Sequence, residues 1–94
     1  MEKDIYDKLE RLLNRIILNG KHNDWGNLIE ELTNIQKYNI DSKINKKIEN
    51  FKLIFYFLNS SIDDEAFKIT STINVITKVV DLKKLIIKMR KKDI

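Results

Sequence analysis

His22 and Asp24 stand two residues apart in a short polar stretch, and Asp63, Asp64 and Glu65 form an acidic triplet further along. These are the residues whose types could do chemistry. A histidine beside a carboxylate can move protons near neutral pH or hold a metal ion. Clustered carboxylates can share a proton or bind a cation. A metal would need three or four ligands, and the chain holds one histidine and no cysteine. Asp24 is better placed as the N-cap of a following helix, and the acidic triplet suits the positive end of a helix dipole. No spacing matches a calcium loop, a phosphate-binding glycine loop, a dinucleotide fingerprint or a nucleophile elbow. The sequence therefore gives no catalytic residue, metal ligand or cofactor site, and the chain is expected not to be an enzyme. A small molecule held inside the fold stays open at this point.

The rest of the inventory concerns helices. There is no proline and there are only two glycines among 94 residues, so little interrupts regular structure. Ile5, Leu9, Leu12, Leu13, Ile16 and Ile17 recur at steps of three and four and predict a first helix ended by Asn19-Gly20. Its outer positions Lys8, Glu10, Arg11 and Arg15 read as a solvated face. Trp25, Leu28, Ile29, Leu32 and Ile35 predict a second helix capped by Asp24 and closed by Tyr38-Asn39. Ile44, Ile48, Phe51, Phe55 and Leu58 predict a third, capped by Asp41 or Ser42. Its second half, Leu53 to Leu58, is apolar all round, so it is either the centre of a bundle or part of an interface.

After Asn59-Ser60-Ser61, the pair Ser61 and Asp64 resembles a capping box. The expected stripe of the next element is Ala66, Ile69, Ile73, Ile76 and Val80. The β-branched run over 66–80 could form a strand, but a lone hairpin is barely stable and helix is preferred. Asp81 could restart a helix with Leu82, Leu85, Ile86 and Met89 inside. The expected fold is all-α, a small antiparallel bundle of four helices, or five with a break at Asp81. It forms a single domain over 1–94, with 83–94 a basic C-terminal helix end or tail.

Charge is unevenly placed. Lys83, Lys84, Lys88, Arg90, Lys91 and Lys92 against Asp93 give +5 over residues 82–94, so with a total of +4 the first 81 residues sum to −1. As a helix, this end lines Lys84, Lys88 and Lys91 along one face. It could steer an acidic partner or meet a phosphate backbone. Its removal is expected to leave the fold intact. A second basic set, Lys43, Lys46, Lys47 and Asn50, opens the third helix. With the turn Tyr38–Asp41 before it, this resembles the second half of a helix-turn-helix and gives the nucleic-acid alternative. Tyr56 and Phe57 are the expected hydrophobic anchors for a protein partner or a second copy, because aromatics dominate binding energy and a small domain gains from oligomerisation.

No apolar run approaches a membrane span, and the charged opening MEKDIYDKLE is unlike a secretory signal. The lack of cysteine fits a reducing cytoplasm. The Ile, Lys and Asn bias suggests an AT-rich genome of a low-GC bacterium, phage or plasmid. The four stripes (Ile5–Ile17, Trp25–Ile35, Ile44–Leu58, Ile69–Val80) and the Lys83–Lys92 end together resemble the bacteriocin immunity proteins of low-GC Gram-positive bacteria. That resemblance implies a cytosolic protein that acts by stoichiometric binding, with its C-terminal part in recognition. Small phage or plasmid inhibitor proteins share the same features. The functional expectation is a non-enzymatic binding protein of the immunity, inhibitor or adaptor kind, self-associating as a dimer. The alternative is a small DNA- or RNA-binding regulator.

Overall fold

Three aspartates start three of the helices. In a computed structural model, which describes residues 2–60 and 64–92 and side chains from Ile5 to Ser60 and Asp64 to Lys91, these residues form four α-helices and no strand. Helix α1 runs Glu2–Asn19, α2 Trp25–Ile35, α3 Ser42–Asn59 and α4 Glu65–Lys92, with a single 3-10 turn at Gly20–His22. The Asn27 amide donates to Asp24 Oδ1 at 3.1 Å, and the Lys43 and Ile44 amides donate to Asp41 Oδ1 at 2.8 and 3.4 Å. The Phe67 amide donates to Asp64 Oδ1 at 3.0 Å, so Asp64 is itself the cap of α4. Ser61, the other half of the expected capping box, and Asp63 lie outside the described residues.

Gly20 takes φ +52°, the left-handed conformation that lets α1 end and the chain reverse. The Asn23 side-chain amide donates to the carbonyls of Ile16 and Gly20 at 2.9 and 2.7 Å, closing that end of α1. Helix α2 stops at Ile35, three residues before the expected Tyr38, and a turn through Ile40 leads into α3.

Each helix runs antiparallel to its neighbours. Arg15 of α1 pairs with Glu31 of α2, Gln36 of α2 with Asn45 of α3, and Arg90 of α4 with Asp7 and Glu10 of α1. At about 1.5 Å per residue the 28-residue α4 is some 42 Å long, nearly the full 46 Å of the molecule. It packs on both α1 and α3, whereas α1 and α2 touch least. The core takes the expected stripes of α1, α2 and α3, with Phe55 at its centre, 5.0 Å from Trp25 and 6.1 Å from Phe51 between ring centroids. Among the described residues, every buried side-chain nitrogen and oxygen has a partner.

Residues 65–92 form one helix, as preferred for 66–80, and it runs on through Asp81 as the four-helix option had it. The expected reading of α4 needs two corrections. The buried stripe is Thr72, Val75, Val79, Leu82 and Ile86, while Ala66, Ile69 and Ile73 face outward. Thr72 can sit inside because its hydroxyl donates to the Lys68 carbonyl at 2.8 Å, within its own helix. The C-terminal end is no detachable tail either. Ile86 is fully buried, Leu85 and Met89 pack on the core, and Arg90 bridges to α1, so removing residues 83–94 would open the bundle.

Candidate interaction surfaces

The residues singled out for chemistry do not converge. His22 and Asp24 are both exposed, and an Asp24 oxygen is taken by its helix cap. His22 lines a cleft of about 400 Å³ with Lys21, Glu65 and Lys68, over Trp25 and Leu58. Among the described residues no three of His, Cys, Asp or Glu gather as a metal site.

What the fold does build is a molecule with two unlike ends. The C-terminal half of α3, the first turns of α4 and the end of α1 lie together at one end. There Leu53, Tyr56 and Phe57 are 61%, 60% and 60% exposed. The apolar run of α3 therefore divides. Phe51, Phe55 and Leu58 enter the core, Ile54 packs at its edge, and Leu53, Tyr56 and Phe57 form the outer surface. Leu18, Phe67, Ile69 and Ile73 are also exposed at this end. Isolated surface apolar residues are ordinary, whereas here several large ones are exposed on three helices at one end.

The N-terminal half of α3 and the C-terminal end of α4 lie at the other end. Lys43, Lys46, Lys47 and Asn50 are all exposed there, as are Lys84, Lys88 and Lys91. Lys83 is half-buried, and Lys92 lies in the helix with its side chain outside the described residues. Arg90 is turned inward, its two terminal nitrogens 2.7 Å from Glu10 and 2.7 Å from Asp7. Hydrogen bonds donated to Glu10 and then to Asp7 hold the Arg90 guanidinium above its ordinary pKa. Its role is to fasten α4 to α1, which sets it apart from the lysines around it.

One feature escaped the sequence reading. Lys8, Arg11 and Arg15 do not simply face solvent. They line a cleft of about 420 Å³ between α1 and α2, with Glu31, Asn34 and Tyr38 opposite and Ile5, Leu12 and Ile35 beneath. The cleft exists because α2 is short and packs loosely on α1. Helical spacing of these cations was visible in the sequence, but the gap beside them depends on tertiary packing.

The architecture defines an all-α antiparallel four-helix bundle, and no helix of the described residues is long and apolar enough to cross a membrane. In comparisons with protein-family models, curated proteins and solved structures, nothing matches this chain.

Proposed function

We propose that this bundle is a non-enzymatic binding protein, acting by stoichiometric association with another macromolecule in the manner of immunity, inhibitor or adaptor proteins. One observation carries the reading: Leu53, Tyr56 and Phe57 stay about three-fifths exposed on a helix whose inner stripe already completes the core. Holding three large apolar side chains in water has no folding benefit, and aromatics of this kind are the usual anchors of protein contacts. Such a protein acts by occupying a surface and needs no acid, base or cofactor.

The reading places the protein in the cytoplasm of a low-GC bacterium, or on a phage or plasmid carried by one, consistent with its composition and lack of cysteine. It also makes the apolar end the contact between two copies when no partner is present. The lysines of α4 then raise the rate of encounter with an acidic partner.

A photo-crosslinking residue at position 56, compared in cells with one at the exposed Glu30 of α2, tests this directly. Position 56 should give an adduct of one defined mass, to a partner or to a second copy, and position 30 should not. Tyr56→Asp with Phe57→Asp should abolish that association and leave the circular dichroism unchanged. Equal, diffuse labelling from both positions would defeat the reading.

A further inference from the structure

We infer that the end of the bundle opposite Leu53, Tyr56 and Phe57 is a docking surface for the phosphate backbone of double-stranded nucleic acid. This inference does not rest on the protein-partner reading, because it concerns different residues at a different end.

Antiparallel packing creates the surface. Ile44 of α3 and Ile86 with Met89 of α4 border one cleft, and Lys47 with Asn50 of α3 borders another against Lys78 and Asp81 of α4. This register brings the start of α3 and the finish of α4 to the same end of the bundle, so Lys43, Lys46 and Lys47 lie on the helix next to the one that carries Lys84, Lys88 and Lys91. All six side chains are exposed. Most carboxylates at this end are already engaged. Asp7 and Glu10 hold Arg90, Asp41 caps α3, and Glu49 lies 3.8 Å from Lys52. Among the described residues Asp81 is the acid left exposed between the two rows.

The α4 row alone has an ordinary explanation, since cations at a helix C-terminus are favoured by the dipole. The α3 row has none. Lys43 sits in the first turn of α3, at the positive end of its dipole, where the N-cap Asp41 is the acid present and the turn itself holds none. Packing that row against a second basic helix end adds repulsion. Cations placed against local electrostatics, and without a structural partner among the described residues, point to a polyanion outside the chain.

The chemistry of the surface narrows the polyanion. Among the described residues, the large apolar side chains exposed near this end are Tyr38 and Ile87. Tyr38 lines the α1–α2 cleft, and Ile87 shares a shallow cleft with Lys91, Glu10 and Arg90 on the α1 side of α4, so Lys91 is the one lysine of the six that lines a cleft with either of them. A protein interface would want a buried apolar anchor, a bilayer an inserted apolar face, and a single strand an aromatic platform. Lysines alone make point contacts to phosphate. Lys84 to Lys91 extends about 10 Å along α4, with α3 roughly 8–10 Å away, and a duplex carries one charge per roughly 1.7 Å of axis. Three to four simultaneous phosphate contacts are within reach.

Fluorescence anisotropy of a labelled mixed-sequence duplex of roughly 25 base pairs, titrated with the full chain at about 50 and 200 mM salt, tests this. Three to four contacts predict a loss of affinity of roughly 40- to 150-fold across that range. Lys43→Glu with Lys46→Glu should weaken binding at least about tenfold and flatten the salt slope. Lys43→Glu should also raise the melting temperature, by placing an anion at the start of α3, so that lost binding cannot be lost folding. Tyr56→Asp with Phe57→Asp should leave duplex binding unchanged. The inference is overturned by absent binding at the lower salt, by tighter binding to a single strand of equal length, or by indifference to the α3 substitutions. Association only with phosphatidylserine vesicles would overturn it equally.

Discussion

Phe55 and Phe57 are the same residue type two positions apart in one helix, yet they should differ several-fold in what they contribute to stability. Phe55 is fully buried and packs on Trp25 and Phe51. Phe55→Ala leaves a cavity at the centre of the core and should cost about 3–5 kcal/mol. A chain of this length has a total stability of roughly 5–14 kcal/mol, so most of the margin could go. Phe57 is 60% exposed, so only about two-fifths of its burial benefit is realised. Scaled from about 2.5 kcal/mol for full burial, that is about 1 kcal/mol, part of which the better helix propensity of alanine returns. Urea unfolding followed by Trp25 fluorescence and by circular dichroism reads both variants. With a slope near 1–1.5 kcal/mol/M, Phe55→Ala should lower the midpoint by about 2–5 M and Phe57→Ala by less than about 1 M. Equal losses at every protein concentration would refute the assigned face of α3. A Phe57→Ala loss that grows with protein concentration would instead show that a second copy covers this surface.

The helix caps should be separable by the same melts. Asp41→Ala removes an acceptor shared by two amides and should cost about 1–2 kcal/mol, with Asp24→Ala and Asp64→Ala near 1 kcal/mol each. Truncation before Lys83 deletes the buried Ile86 and the Arg90 bridge and should abolish cooperative melting, whereas ending the chain after Lys91 should leave the melting temperature unchanged. The two glycines should respond to alanine with opposite signs. Gly20→Ala forces a side chain into φ +52° and should destabilise by about 1 kcal/mol. Gly26→Ala gains roughly 0.5–1 kcal/mol of helix propensity, because its new Cβ would meet, at 3.2 Å, only the end of the exposed Asn59 side chain, which can swing away.

Periodicity carried most of the fold, and its failure in α4 has a specific cause. Residues 66–80 contain two apolar series at helical spacing, Ile69-Ile73-Ile76-Val80 and Thr72-Val75-Val79. Ranked by hydrophobicity the first wins, since isoleucine outranks threonine. Ranked by continuity the second wins: it runs on at steps of three and four into Leu82 and Ile86, whereas the first meets Lys83 and Lys84. Allowing a helix break at Asp81 reset the phase and hid that continuity. The outer anchors were legible only as alternatives. Six consecutive apolar residues cannot all face one core, but which of them turn outward depends on where α2 and α4 sit. The cleft at Lys8, Arg11 and Arg15 was not legible, because it comes from the short length of α2 and its loose packing on α1.

The places where this chain departs from its own folding rules are grouped, and that grouping is the strongest argument for function. Elsewhere local and global preferences agree: three aspartate caps, a left-handed glycine at the reversal, closed side-chain hydrogen bonding in the core, and Arg90 drawn onto two carboxylates. Two departures stand out. Large apolar side chains stay in water at one end, and Lys43 opposes a helix dipole at the other. Both lie on α3, one on each half, and neither helps the bundle fold. The antiparallel arrangement enlarges each departure, adding the exposed start of α4 to the apolar end and the lysines of its finish to the basic end. A chain selected only for a stable bundle would have reversed these choices, with a neutral or acidic residue at 43 behind the Asp41 cap and polar residues at 53, 56 and 57. If each end binds as proposed, stabilising substitutions there should remove binding at the corresponding end, the trade-off expected where surface residues serve contact instead of folding.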